Sequence, residues 1–397
     1  MLGNCCLRVP GELHPNRGAS VVLDQGCTPH RRSLCRINRR QDLVSGQSRG
    51  ADRPPSRVTR YLPSLPLVAE NDSMTSHDPL PFGPTASWDR LRLRAQMLRN
   101  LRQSFEQRGF LEVETPLLSM DTVVDRHLEP LSVELPGIEA PRRWLQTSPE
   151  FSMKRLLAAG APAIYQIGRA FRSGERGPLH NPEFTIVEWY RTGDTPDQAM
   201  HTLSELVEEA LGCQPAKRIS YQDAFSKHVG LDPHAASIER LRNIAVERKI
   251  QIPPSFAADR DEWLNLLLTT FVEPQLGRVR PTILFDYPSS QSALARVRSD
   301  KPPVAERFEL YLNGIELANG YHELCDPVEL RQRIAETNLL RKTDGNGPLP
   351  EENRLLAAME HGLPPCCGAA LGFDRLVMLA ADARTIDEVL TFPFERA

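Results

Sequence analysis

Two apolar runs, residues 163–172 and 182–191, flank the polar loop Ser173-Gly174-Glu175-Arg176-Gly177-Pro178-Leu179-His180-Asn181. Their β-branched and aromatic content, with a glycine-bearing connection, predicts a long antiparallel hairpin with a mobile tip. Antiparallel pairing therefore stands at the centre of whatever this chain builds. Period two on the second strand puts Phe184, Ile186, Glu188 and Tyr190 on one face and Val187 and Trp189 on the other. A carboxylate among apolar and aromatic neighbours needs a partner, and a cationic ligand is one candidate.

Ahead of the hairpin, Ser148-Pro149-Glu150 followed by Phe151-Ser152-Met153-Lys154-Arg155-Leu156-Leu157 reads as a helix start. Ser148 takes the N-cap and Pro149 the first helical position. Glu150 falls in the first turn, where the helix dipole favours a carboxylate; capping and ligand binding both account for it. Further on, Phe308-Glu309-Leu310-Tyr311-Leu312 leads into Asn313-Gly314, a strong hairpin signal, and the returning strand carries Glu316 and Glu323. Those two acids are either solvated strand residues or holders of Mg2+, which takes a few carboxylates beside phosphate oxygens. Gly368-Ala369-Ala370-Leu371-Gly372 reads as a small-residue strand turning into a helix with Arg375 in its first turn. Small residues let a ligand approach closely, and an arginine at a helix N-terminus suits phosphate.

Order is expected from Ser87, an N-cap for a helix in which Trp88, Leu91, Ala95, Leu98 and Phe105 recur at helical spacing, with Gly109 as its stop. Residues 111–116 read as a short strand ended by Pro116. The stretch 194–280 reads as helical, with helices over 200–211, 221–229, 238–250 and 263–276. A single domain over 87–397 with a helical insertion at about 194–280 fits this pattern. The first 73 residues hold 11 arginines against 6 acidic residues and show no apolar period, so they lack the material for a core. They read as a disordered extension, an upstream start with Met74 the initiator, or an arginine-rich targeting segment; residues 74–86 read as a linker. The formal net charge of -3 argues against a protein built to coat nucleic acid. No apolar run reaches the roughly 18 residues of a membrane span. Of the eight cysteines no pair has C-x-x-C spacing, which points to reducing cytoplasm, with Cys366-Cys367 as strand packing.

In this order the segments resemble the catalytic domain of class II aminoacyl-tRNA synthetases. Residues 109–116 look like motif 1, Phe171-Arg172 through His180-Asn181-Pro182-Glu183-Phe184 like motif 2, and residues 372–376 like motif 3. Thr147-Ser148-Pro149-Glu150, His180 to Thr185 and Glu316 to Glu323 are similar to the lysyl branch. Within it the chain looks like the ligases that place (R)-β-lysine on elongation factor P. No strand-patterned anticodon-binding region precedes the core, Glu188-Trp189-Tyr190-Arg191 has the ligase form, and Ala370 stands where the synthetases carry glycine. One departure is that the usual Arg-Asn-Glu of motif 2 is Arg172-Ser173-Gly174 here, with Glu175 one place later.

The resemblance implies an α+β fold, an antiparallel sheet flanked by helices, and a cytoplasmic homodimer. The implied enzyme is an ATP-dependent ligase using ATP as substrate with Mg2+, acting on (R)-β-lysine and elongation factor P without stable tRNA binding. Catalytic roles fall to Arg172 on the α-phosphate, Arg375 on the distal phosphates, and Glu316. ATP contacts fall to Arg172, Ser173, Gly174, Asn181, Phe184, Glu316, Leu317, Gly372 and Arg375, with adenine beside Asn181 and Phe184. The amino acid falls to Ser148, Pro149, Glu150, Glu188, Tyr190, Asn319, Glu323 and Ala370, and Mg2+ to Glu316 and Glu323. Physical chemistry agrees on one point: Glu150, Glu188 and Glu323, if gathered, repel one another unless cations arrive, and a diamino acid supplies two. His322 is available as a base for acyl transfer or is structural. A lysyl-tRNA synthetase paralogue charging another acceptor, and an inactive binding module, remain as alternatives.

Overall fold

The computed structural model describes residues 81–139, 142–252 and 259–397, so the expectations for the first 73 residues lie outside the described residues. Ser87 caps the first helix as its position predicts: its hydroxyl accepts the Arg90 N–H at 3.4 Å, and α1 runs Trp88–Gln107. Its buried stripe is Met97, Leu101 and Phe105, and Gly109 ends it at a positive φ of 75°. The chain then forms β1 (Leu111–Glu112), β2 (Leu118–Ser119), β3 (Ser132–Glu134), β4 (Arg142–Leu145) and α2 (Glu150–Ala158). The expected hairpin follows as β5 (Ala163–Phe171) and β6 (Glu183–Thr192). Next come α3 (Pro196–Leu211), β7 (Lys217–Ser220), α4 (Tyr221–His228), α5 (Ile238–Glu247) and α6 (Arg260–Leu267). The remainder is β8 (Thr282–Pro288), β9 (Val297–Arg298), β10 (Val304–Leu312), β11 (Ile315–His322), α7 (Pro327–Thr343), α8 (Arg354–Gly362), β12 (Cys366–Gly372) and α9 (Phe373–Ala380).

The main sheet runs β1-β5-β6-β12-β11-β10-β8-β7, with β9 paired to β10. Its pairs are antiparallel except β1 with β5 and β7 with β8, which are parallel. Helices flank this sheet, so the class is α+β as expected. A small second sheet has the order β2-β4-β3. On one face of the main sheet, Phe105 of α1 stacks on Tyr165 of β5 at 4.3 Å and meets Trp189 of β6 at 5.5 Å. Each of these rings is nearly fully buried, a gain of roughly 1.5–3 kcal/mol apiece. Met153 and Leu157 of α2 pack with Leu355, Leu356 and Met359 of α8 in a separate cluster.

Several expectations shift. The strand over 111–116 shrinks to Leu111–Glu112, although the Val113 N–H still reaches the Tyr165 carbonyl at 2.8 Å. Pro149, not Ser148, occupies the cap position of α2, with helical backbone angles and no side-chain cap of its own. The helix expected over 263–276 is α6, then a π turn at Leu268–Val272 and a 3-10 turn at Glu273–Gln275. Pro274 has no N–H to continue the α ladder. The region expected to be all helical also contains β7, whose Lys-Arg-Ile-Ser pattern gave no alternation to find. Asn313-Gly314 turns between β10 and β11 with φ of 55° and 77°, as a type I′ turn requires.

Candidate active site

Three adjacent strands, β6, β12 and β11, present one face to a cavity of about 1020 Å³. Strand register assembles its floor in rows. Glu188 lies opposite Ala370, which lies opposite Asn319; in the next row Tyr190 faces Gly368, which faces Tyr321. Gly368 has no room for a side chain: a Cβ there would come within 2.2 Å of the Tyr190 ring and 2.9 Å of Glu323 Oε1. Period two worked as read from the sequence, since Phe184, Ile186, Glu188 and Tyr190 line the cavity while Val187 and Trp189 enter the core behind it.

The three acids expected to gather do gather. Glu150 is 8% exposed at the start of α2, Glu188 1% on β6 and Glu323 2% just past β11. Glu188 Oε2 accepts the Ser148 hydroxyl at 2.8 Å and Oε1 accepts the Tyr190 hydroxyl at 2.6 Å. The Ser148 oxygen also accepts the Glu150 N–H at 3.1 Å, so from one residue before the cap it still satisfies a free donor of the first turn of α2. Burial, and then the neighbouring Glu150 charge, push the Glu188 carboxyl up to about 7. Burial pushes Glu323 up to about 8, against the pull of Lys154. That lysine was not expected: its Nζ stands 2.5 Å from Glu150 Oε1 and 2.5 Å from Glu323 Oε2, so one cation is already resident among the acids. Asn319 donates from Nδ2 to the Tyr321 hydroxyl at 2.9 Å, while its buried Oδ1 has no donor among the described residues.

The other half of the cavity is cationic. Arg172 lies over the Phe184 ring at 4.9 Å and faces Glu175 at 3.7 Å. Arg375, in the first turn of α9, donates to the Glu316 carbonyl at 2.8 Å and the Leu179 carbonyl at 3.2 Å. Its Nη2 sits 2.7 Å from His180 Nε2; burial and that guanidinium lower the His180 imidazole. Asp374 beside it is buried, paired to Arg94 at 2.5 Å and accepting the Thr185 N–H at 2.7 Å, which locks α9 to β6. Asn181 is tied by its amide to the Glu183 carbonyl at 2.7 Å and by its Oδ1 to the Phe394 N–H at 3.0 Å.

Most of the expected site residues line this one cavity, including Leu317, Ala370 and Gly372; Pro149, Ser173 and Gly174 do not. Ser173 instead pairs its N–H with the Glu129 carbonyl at 2.8 Å, and Gly174 takes a positive φ of 77° in the turn. Glu316 and Glu323 are not brought together. Seven residues along an extended strand span on the order of 20 Å, too far for two carboxylates to share one ion. The neighbour of Glu316 is Glu309, on the paired strand; enclosure by the surrounding protein and then the Glu309 charge raise the Glu316 carboxyl, although 42% of its side chain stays exposed. Glu309 accepts the Tyr287 hydroxyl at 2.5 Å, the Tyr311 hydroxyl, and Arg307 at 2.5 Å. Glu273 from the 3-10 turn joins them, pushed up to about 7 by burial and by Glu309. Sequence reasoning missed Lys154, Glu309 and Glu273. The signals were a lysine four residues after Glu150 and an acid inside Phe-Glu-Leu-Tyr-Leu. Among the described residues no group of three or more Asp, Glu, His or Cys is arranged to hold a metal ion. His322 is bound at 2.7 Å to Glu306, a structural role.

The model of class II tRNA synthetases of the D, K and N type matches residues 84–396. The chain is 46% identical over 314 residues to the elongation factor P–(R)-β-lysine ligase of Vibrio vulnificus strain YJ016, covering 78% of this chain and 97% of that protein. It is 44% identical over 327 residues to the ligase of that name from Vibrio cholerae serotype O1, covering 82% of this chain and 100% of the other. The Klebsiella pneumoniae strain 342 ligase is 44% identical over 317 residues, 79% of this chain and 98% of its own.

Proposed function

Since the chain belongs to the class II tRNA synthetase family of the D, K and N type, we propose that it activates (R)-β-lysine with ATP and transfers it to a lysine ε-amine of elongation factor P. The observation that carries this is the buried trio Glu150, Glu188 and Glu323 beside a cationic half-cavity. Acids met by ammonium groups and arginines met by phosphates are the two ends of an amino-acid-activating site. Asn319 Oδ1, buried and without a donor, is suited to receive an ammonium hydrogen.

In the first step the β-lysine carboxylate attacks the α-phosphorus of ATP; the new O–P bond forms as the bond to pyrophosphate breaks. The nucleophile is already ionised, so no base is needed and the protein supplies position and charge. Arg172 takes the α-phosphate and Arg375 the distal phosphates, with adenine on Phe184 and beside Asn181. Mg2+ takes one or two carboxylates together with phosphate oxygens. Glu316, whose side chain is 42% exposed, with Glu309 behind it, fits that donor set, and the ion would offset phosphate charge there. Glu323 belongs to the amine end. In the second step the acceptor amine, having lost a proton, attacks the acyl carbon and AMP leaves. The Ala370 methyl is level with Glu188 and Asn319, which supports a role for it in discriminating an amine moved by one carbon.

The same reading includes a homodimer through α1 and β1, where Trp88 is 68% and Leu111 64% exposed, and cytoplasmic action on a translation factor without stable tRNA binding. Among the described residues no helix is long and apolar enough to cross a membrane. Pyrophosphate exchange is the test: (R)-β-lysine should support it at least about tenfold better than α-lysine, roughly one C–C bond's worth of discrimination. The product should then label elongation factor P and not tRNA-Lys. Equal exchange with both isomers together with tRNA charging would replace this reading with a lysyl-tRNA synthetase paralogue.

A further inference from the structure

Lys154 has no part in the steps above. It enters the acid cluster from α2, is 2% exposed, and touches Glu150 and Glu323 at 2.5 Å each. The Tyr190 ring lies 5.9 Å from its Nζ. Glu188 on β6, Cys325 beyond β11 and Cys366 on β12 are the other titratable groups that feel its charge. A buried ammonium is tolerated only when paired, and two carboxylates keep this one charged. With every group ionised, three carboxylates and one ammonium leave two negative charges uncompensated. A diamino acid brings two positive ones.

We propose that Lys154 sets the charge of this pocket so that it selects a ligand with two ammonium groups, acting as a positioning residue through Glu150 and Glu323. This rests on the amino-acid half of the proposed function and is independent of the acceptor. Without Lys154, Glu150 and Glu323 face each other with no cation between them and one of them takes up a proton, which an ammonium group seated against that carboxylate has to expel.

Calorimetry on the full chain near neutral pH, with 1,5-diaminopentane and pentylamine as probes, reads both effects. Wild type should prefer the diamine. Lys154→Met should weaken diamine binding by about tenfold or more, one pKa unit's worth, and release about one additional proton, measured in two buffers of different ionisation heat. Its ATP affinity should stay unchanged. The double variant Lys154→Met/Glu150→Gln restores the charge count and should bind the diamine more tightly than the single variant. It also remains informative if the single variant does not fold, since both members of one ion pair are then neutral: it must still prefer diamine to pentylamine. Unchanged diamine affinity and proton release in Lys154→Met, or loss of that preference in the double variant, overturns the proposal. A wild type that binds the diamine yet exchanges pyrophosphate with neither lysine isomer overturns the proposed function and leaves the role of Lys154 standing.

Discussion

Glu188 and Glu323 are acids whose native environment favours the proton, at about 7 and about 8, against roughly 4.3 for an unperturbed glutamate. Where the folded chain holds protons that the unfolded chain has released, stability falls as pH rises. Their contribution is therefore largest at the acid end and declines between about pH 4.5 and 8. His180, lowered by burial, contributes in the opposite sense, so the comparison of interest is with a variant. Glu188→Gln should show a shallower fall in Tm between pH 5.5 and 8.5 than wild type, and saturating β-lysine should flatten the wild-type curve, because ammonium groups favour the ionised acids. Parallel curves in all three samples would show that Glu188 is not the titrating group. At this scale the sequence exposed Glu188 through its odd company, whereas Lys154 is marked only by its place four residues after Glu150, and spacing says nothing about burial.

The three-strand floor depends on one position with no side chain. Gly368 lies between Tyr190 and Tyr321 in the register, and any Cβ there collides with the Tyr190 ring. Gly368→Ala should lower stability by roughly 1–3 kcal/mol, as overpacking does, and should also displace Tyr190 from Glu188. Chemical denaturation and a substrate titration check the two halves; full stability with full affinity would mean the floor yields more easily than its packing implies. The elements themselves were largely readable: the β5–β6 and β10–β11 hairpins, α1 with its Ser87 cap, and α9 with Arg375 all follow local patterns. What escaped were β7, β8 and the small β2-β4-β3 sheet, where strands are short or lie outside an alternating pattern, and the π and 3-10 turns that bring Glu273 to Glu309.

For the molecule as a whole, Trp88 and Leu111 leave apolar surface exposed at the α1 and β1 edge. Sedimentation should give a dimer at micromolar concentration, and Leu111→Glu should shift it toward monomer by burying an unpaired charge at the interface. A wild-type monomer with full exchange activity would separate activity from assembly. The sequence by itself determined the antiparallel hairpins and the helix starts that frame the site, because hairpin signals, caps and small-residue strands are local and each residue type has few ways to satisfy them; the fold class followed from the resemblance those segments carry. Glu188 stood out as a charge in apolar company and Arg375 by its place at a helix N-terminus, while the roles of Glu150, Glu323 and Arg172 came from the resemblance to class II synthetases. Only the tertiary structure decided which acids share a place. Register across β6, β12 and β11 and the entry of α2 gather Glu150, Glu188 and Glu323 around Lys154, while strand length carries Glu316 away to Glu309. Proximity between distant segments depends on packing and pairing across the whole sheet, which no local pattern encodes.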